Sequence, residues 1–242
     1  MLTTISRPLL LGHRGLRPVR RFGVRTSRAL VPPENSIAAF DRALAAGCDG
    51  FEFDVRFTSD KRAVLWHDPQ MDGREVSLAD YAELHRRRSH LACVEDVLDR
   101  FAKTAYLDVE LKVAGNEEVI VAALRTTPPT QGFVVSSFLP KVVFRLHELD
   151  SSLPLGYVCK RAEDVQRWSS LPIRVFIPHL RLVSKRLIDD VHSHGIQLFT
   201  WTVNRQSDML RLAAAGVDGL ISDDPALLVR TFLPQRIAAA TA

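Results

Sequence analysis

Three short stretches of the chain, "LLLGHRG", "GFEFDVRF" and "LDVELK", set charged side chains at or near the ends of apolar runs. Glu52 and Asp54 are two residues apart in an extended run, as are Glu110 and Lys112. Residues i and i+2 of a strand project from one face, so each pair acts together while Phe51, Phe53 and Val55 take the other side. Two partly buried carboxylates side by side raise one another's pKa unless a positive group lies between them. Glu52, Asp54 and Glu110, facing one cavity with no cysteine nearby, form an oxygen-donor set suited to a hard divalent cation, Mg2+ or Ca2+. The competing reading is a set of structural ion pairs with Arg14 and Lys112. His13, at the end of the first run, and His67, in "AVLWHD", can give or take a proton near neutrality. Arg14 and Lys112 can hold an anion. Acid, base, cation and anion clamp together suit phosphoryl-ester chemistry.

Such groups need a frame that gathers strand ends in one place. Short β-branched runs alternate with amphipathic helical patterns along the whole chain, from "PLLLGH" through "GFEFDVRF", "AYLDVELKV", "GFVVSSF", "LPLGYVC", "RVFIPHL" and "IQLFTWTV" to "VDGLISD". Helical segments lie between them, among them "ENSIAAFDRALAAG", "AEDVQRWSS" and "SKRLIDDVHSHG". Several stop at a glycine, as at Gly47, Gly195 and Gly216, the usual helix terminator. Eight strands each followed by a helix predict an α/β fold, a (β/α)8 TIM barrel over residues 1–242 as one domain, with its function at the strand ends. The hairpin-like "RAVLWHDP" is an ornament on that pattern.

Composition narrows the partners. The chain has 242 residues, 46% hydrophobic and 25% charged, enough for a substantial core. A net charge of +4 and a pI near 9.2 suit anionic ligands. No basic stretch is interleaved with stacking aromatics, which argues against nucleic acid. No apolar run approaches the ~20 residues of a membrane span. The N-terminal apolar run leads straight into "GHRG" and reads as a strand, not an export signal, so a cytoplasmic location is expected. Cys48, Cys93 and Cys159 are unpaired in pattern and read as buried free thiols.

"GHRG", "PENSIAAF", "GFEFDVRFTSDKRAVLWHD", "LDVELK", "WTVN" and "GLISDDP" occur in this order, and the ordered set resembles the glycerophosphodiester phosphodiesterase family over almost the whole chain. The resemblance implies a barrel of the phospholipase-C-like phosphodiesterase type. It implies metal-dependent hydrolysis of small-molecule glycerophosphodiesters to sn-glycerol 3-phosphate and an alcohol. By motif, His13 and His67 match the general acid/base pair, and Glu52, Asp54 and Glu110 the ligands of the divalent cation. Arg14 and Lys112 match phosphate-contacting positions, and Trp201 an aromatic wall of the pocket. The resemblance also implies attack on phosphorus by a glycerol hydroxyl, with a cyclic phosphate opened by water as one route. The roles of the two histidines stay interchangeable at this level.

Other residues have plainer readings. Glu34 and Asn35 open a helix after Pro32-Pro33, where Asn is a good cap; the motif equally allows them to support the site by hydrogen bonds. Asp223 and Asp224 read as turn and cap residues, with an outer role at the site as the minor alternative. His179 reads as a loop histidine, with a peripheral pocket residue as the alternative, and His85, His90, His147, His192 and His194 as solvated. The segment after His67-Asp68 is shorter than the family's, which predicts an open entrance. The basic stretch from Leu16 to Pro33 is longer, and reads as a solvated surface loop or as a flap over the mouth. Two alternatives stand beside the diesterase. One is a lysophospholipase D, marked by an exposed apolar rim or a basic face presented to membranes, with membrane contact; the other is an anion-binding barrel without turnover. Oligomeric state is open.

Overall fold

A computed structural model describes residues 7–17 and 31–232. In chain order the strands are β1 (Leu9–His13), β2 (Gly50–Phe57), β3 (Ala63–Leu65), β4 (Gln70–Met71), β5 (Arg74–Glu75), β6 (Tyr106–Leu111), β7 (Phe133–Ser137), β8 (Leu155–Cys159), β9 (Val175–Pro178), β10 (Gln197–Thr200) and β11 (Gly219–Ser222). The helices are α1 (Ile37–Ala45), α2 (Tyr81–Arg87), α3 (Val94–Phe101), α4 (Glu117–Thr126), α5 (Pro140–Leu149), α6 (Lys185–Ser193), α7 (Gln206–Ala215) and α8 (Pro225–Phe232). Strands β1, β2 and β6 to β11 pair in parallel, and β11 returns to β1, closing the barrel. The fold is the (β/α)8 barrel the alternation predicts.

Alternation along each strand sorts the side chains. Outward, Phe51 and Phe53 of β2 meet the helices; Phe51 stacks on Phe40 of α1 with centroids 4.1 Å apart and takes the edge of Phe101 of α3 at 5.1 Å. Inward, Leu11, Val134, Val158, Val175, Ile177, Phe199 and Ile221 fill the barrel with an apolar plug. The charged residues share that interior face and lie toward the strand C-termini. Gly50 lets β2 and β6 start side by side, since a Cβ there would stand 1.9 Å from the Tyr106 carbonyl oxygen.

One helical segment takes another form. Residues Ala162–Ser170 form a 3-10 helix. Trp168 is its one buried residue, and the Ser169 and Ser170 hydroxyls donate to the carbonyls three residues back, a bond that competes with the α-helical ladder. The opening of α1 also differs from expectation. Ser36 is the cap, accepting from Ala39 N at 3.2 Å, whereas Asn35 lies before it at φ 56°. Gly47, Gly195 and Gly216 do end their helices in the left-handed region.

The barrel ladder of β2 runs out at Val55, and its last residues pair with β3 in antiparallel fashion. That reversal carries His67 back over the strand ends, where Trp66 N donates to the Asp54 carbonyl at 3.0 Å. The short segment that follows forms the β4–β5 hairpin, turned at Asp72 and Gly73, both at positive φ, as a two-residue hairpin turn requires. With α2 it buries a small cluster of its own, built on Met71, Val76 and Leu84. Cys48, Cys93 and Cys159 are buried and free. No described helix is long and apolar enough to cross a membrane. The basic stretch falls largely on residues 18–30, outside the described residues.

Candidate active site

The strand C-termini surround a cavity of about 490 Å3 lined by His13, Arg14, Glu34, Glu52, His67, Glu110, Lys112 and Trp201. Asn35 and Asp54 stand directly behind it. All ten residues singled out in the sequence therefore converge at one end of the barrel.

Register explains the convergence. His13 pairs with Glu52, Glu52 with Asp108, and Asp54 with Glu110, so interior positions of β1, β2 and β6 stand abreast. One oxygen of each of Glu52, Asp54 and Glu110 lies within 4.8 Å of the others. Asp108 is a fourth interior carboxylate, buried and accepting from the Ser136 hydroxyl at 2.6 Å. The same alternation that marks Glu110 and Lys112 also marks Asp108, two residues earlier.

Two cations enter this acidic group. Arg14 Nε lies 2.9 Å from Asp54 Oδ2, and its backbone N–H donates to Glu52 at 2.9 Å. Arg14 adopts φ 53° and is followed by Gly15 at φ 76°, a left-handed pair that turns the chain sharply out of β1; a Cβ at Gly15 would meet the backbone of Ala39 at 2.7 Å. Lys112 binds Glu110, lies 3.2 Å from Asp54 Oδ1 and stands over the Phe138 ring at 5.3 Å. Asn35 secures Asp54 from behind, donating Nδ2 to Oδ2 at 2.8 Å and accepting the Asp54 backbone N–H at 3.1 Å. With its amide so engaged, Asn35 cannot cap α1, which is why Ser36 does.

The carboxyl groups respond unequally. Burial pushes Glu52 well above the usual carboxylate range, and Asp54, Glu110 and Asp108 push it further. Burial raises Glu110 to about 7 despite Lys112, and Asp108 to about 7 despite the Ser136 hydroxyl. Burial also acts on Asp54, but Arg14 and Lys112 overcome it and hold that carboxyl below its ordinary value. Among the described residues, four interior carboxylates face two cations, a deficit of two positive charges when all are ionised. Glu52 Oε1 has no hydrogen-bond partner among the described residues, and Asp54 Oδ1 has only the Lys112 ion pair among them. The triad can therefore hold a divalent metal ion, since hard oxygen donors left unsatisfied in a buried site suit such an ion.

His13 is anchored from the far end of the chain. Its Nδ1 lies 2.6 Å from Asp223 Oδ1, just after β11, and its Nε2 lies 3.8 Å from Glu52. Asn204, in "WTVN", donates to the other Asp223 oxygen at 2.7 Å and accepts the Asp223 backbone N–H at 2.9 Å. Asp223 is thus more than a turn residue, which fits the less favoured of its two sequence readings. Burial acts to raise its pKa, yet His13 and Asn204 hold it below the usual range. An ionised carboxylate only accepts, so Nδ1 of His13 carries the proton and Nε2 is turned to the cavity. Asp224 has the expected cap role, accepting from Leu227 N at the start of α8. His67 sits at the mouth, half exposed, with Nδ1 2.7 Å from Asp68; burial, with Arg14 and Lys112, lowers its pKa although Asp54 opposes this. Glu34 accepts from Arg14 at 2.6 Å and from Arg17 at 2.5 Å. Arg17 had no marker in the sequence, lying in an arginine-rich stretch. Trp201 stands edge-on to Phe138 at 5.6 Å.

The model of the glycerophosphoryl diester phosphodiesterase family matches residues 13–227. The chain belongs to that family. Its enzymatic class, a phosphodiesterase, follows from that membership. A glycerophosphodiester phosphodiesterase of Caldanaerobacter subterraneus is 28% identical over 221 residues, covering 81% of this chain and 91% of that protein. A human lysophospholipase D is 22% identical over 259 residues, covering 83% and 82%. The structure of an Oleispira antarctica phosphodiesterase, in complex with the product sn-glycerol-3-phosphate, superposes with a TM-score of 0.77 at 20% identity, over 93% of this chain and 96% of that one. At that identity the likeness is one of fold. The matched segment of this phosphodiesterase begins at His13 and ends beyond Asp223, so it spans both members of the pair.

Proposed function

We propose that this phosphodiesterase hydrolyses glycerophosphodiesters to sn-glycerol 3-phosphate and an alcohol, with a divalent cation held by Glu52, Asp54 and Glu110. The observation that carries the reading is the meeting, in one cavity, of two imidazoles with an acidic triad left short of positive charge. Bound there, the cation neutralises the charge that develops on the phosphoryl oxygens. Arg14 and Lys112 complete the clamp. His13 acts as the base: its Nε2 takes the proton of the attacking glycerol hydroxyl, the half-buried Asp223 carboxylate stabilises the imidazolium formed, and water then opens the cyclic phosphate to sn-glycerol 3-phosphate. His67, at the solvent side, protonates the departing alcohol. Trp201 walls the pocket, and Glu34 and Asn35 hold Arg14 and Asp54 in place.

Among the described residues, no exposed apolar rim surrounds the cavity. Among the described residues the large exposed apolar side chains are Leu78, Phe144 and Leu210, none of which lines the cavity. With Mg2+ or Ca2+ the protein should release glycerol 3-phosphate from glycerophosphocholine and glycerophosphoethanolamine. Choline release from lysophosphatidylcholine, with neither diester cleaved, would replace this reading by the lysophospholipase one.

The Asp223 anchor has its own expected result. Asp223→Ala should lower kcat about 10- to 100-fold with KM nearly unchanged, the scale seen when a supporting hydrogen bond to a reactive group is lost. Asp223→Asn should rescue little, because an amide also stabilises the tautomer in which Nδ1 has no proton. A steady-state kinetic comparison checks both; an equal loss in KM alone would make Asp223 a substrate-binding or purely structural residue.

A further inference from the structure

The ends of β8, β9 and β10 bear cations that the chemistry above does not use. Cys159 pairs with Pro178, so Lys160 and His179 follow side by side, and His179 bridges to Trp201 on the next strand. Lys160 lines the main cavity on the wall of Val158, Ile177 and Trp201. In the closed barrel that wall lies opposite β2 and β6, which carry the acidic triad. Beside it, a depression of about 380 Å3 is lined by His179, Arg181, Arg205 and Asp208, and Thr202 belongs to both cavities.

Charge pairing separates this group from the site proper. Arg14, Arg17 and Lys112 each face a carboxylate. Among the described residues, Lys160, Arg181 and Arg205 have no ion pair. Asp208, the acidic residue of the depression, is engaged by Arg211 at 3.2 Å. His179 accepts from Arg181 N, and burial, then Arg181 and Lys160, keep its pKa below the ordinary value. The aromatic side chains of this wall already have partners: Phe138 meets Lys112, and Trp201 lies perpendicular to Phe138 and His179. A quaternary ammonium group needs open aromatic faces instead.

We propose that Lys160, with Arg181 and Arg205 behind it, forms a subsite for an anionic group on the alcohol arm of the diester. The preferred substrates are then glycerophosphodiesters of alcohols bearing a carboxylate or a second phosphate. This rests on the phosphodiesterase reading: with phosphorus held at the triad, the variable arm crosses the cavity to the β8–β10 wall. A concave wall of unpaired cations concentrates and orients such a group.

Glycerophosphoserine and glycerophosphoethanolamine differ by a single carboxylate, and their ratio of kcat/KM isolates the effect. The wild-type ratio should favour the serine ester roughly three- to tenfold, the scale of a few partly exposed charge pairs. Lys160→Glu should bring the ratio to unity or below, and the double variant Arg181→Met, Arg205→Met should lower it about threefold. Raising NaCl to about 0.5 M should shrink it in the wild type, since exposed pairs are screened. Glycerophosphoglycerol with and without a terminal phosphate forms the second arm and tells a phosphate-selective subsite from a carboxylate-selective one. Turnover of the ethanolamine ester by the same preparation reports that each variant is folded. If both esters are cleaved and neither ratio responds to Lys160→Glu, the subsite is overturned and the phosphodiesterase reading stands. If no diester is cleaved by the wild type, that reading falls and the subsite with it.

Discussion

His13→Ala should lower turnover of a glycerophosphodiester by about 10^2- to 10^4-fold, the range for losing a positioned general acid or base. His67→Ala should fall in the same range. The two differ in how they fail. His13 is buried and its loss leaves Asp223 without its imidazole partner, so a modest drop in melting temperature is expected along with the loss of rate. His67 is half exposed at the mouth and its removal should leave stability almost untouched. KM should change little in either, because in the proposed arrangement Arg14 and Lys112, not the imidazoles, hold the phosphoryl group. With His67 acting on the leaving alcohol, as proposed, a substrate with an acidic alcohol such as p-nitrophenol should restore much of the rate to His67→Ala and little to His13→Ala. Rapid cleavage of that substrate by His13→Ala alone would exchange the two roles, and a variant that keeps a tenth of the wild-type rate would remove that histidine from the mechanism.

The second large effect is that of the divalent cation. A chelator should abolish turnover and added Mg2+ or Ca2+ should restore it; chelator-insensitive hydrolysis would exclude the triad as a functional metal site. Glu52→Gln should mimic the loss, since one donor and one charge disappear together. Stability follows the same charges. Without a cation, Asp108 and Glu110 titrate near 7 in the folded protein, above the ordinary carboxylate values they recover on unfolding. The folded state therefore holds protons that the unfolded state releases. Their contribution is fullest below about pH 4 and is lost as pH rises through 7. Thermal melts of the metal-free protein should show this term as a lower melting temperature at pH 8 than at pH 5. A cation displaces those protons, so its stabilisation should be larger at pH 8. Equal shifts at the two pH values would mean that the cation binds elsewhere.

The relation between chain and site differs from residue to residue. Glu52, Asp54, Glu110 and Lys112 could be found from alternation, because a strand offers two faces and the opposite one is apolar. Asp108 obeys the same rule and shows that a run of three polar inward positions deserves the same reading as two. Asn35 was legible as a helix-start residue or, by motif, as a support of the site; its bond to Asp54 depends on α1 lying against β2. His67 was marked by motif, since it reaches the mouth through the reversal from β2 into β3.

Asp223 is the clearest case of the other kind. In the chain it follows an apolar strand and precedes a proline-led helix, which is ordinary turn chemistry. It lies 210 positions from His13, and nothing local distinguishes it from Asp224. Closure of the barrel sets β11 beside β1, so that the residue after the last strand meets the end of the first. Lys160, His179 and Thr202 become neighbours in the same way, through the pairing of β8, β9 and β10. The amino-acid order by itself determined which side chains face inward, the alternation of strands and helices, and the chemical types available at each strand end. Those depend on periodicity, which is local. The tertiary structure alone decided which ends adjoin and hence which carboxylate holds which cation or imidazole, because contacts across a closed barrel join residues whose separation along the chain carries no signal.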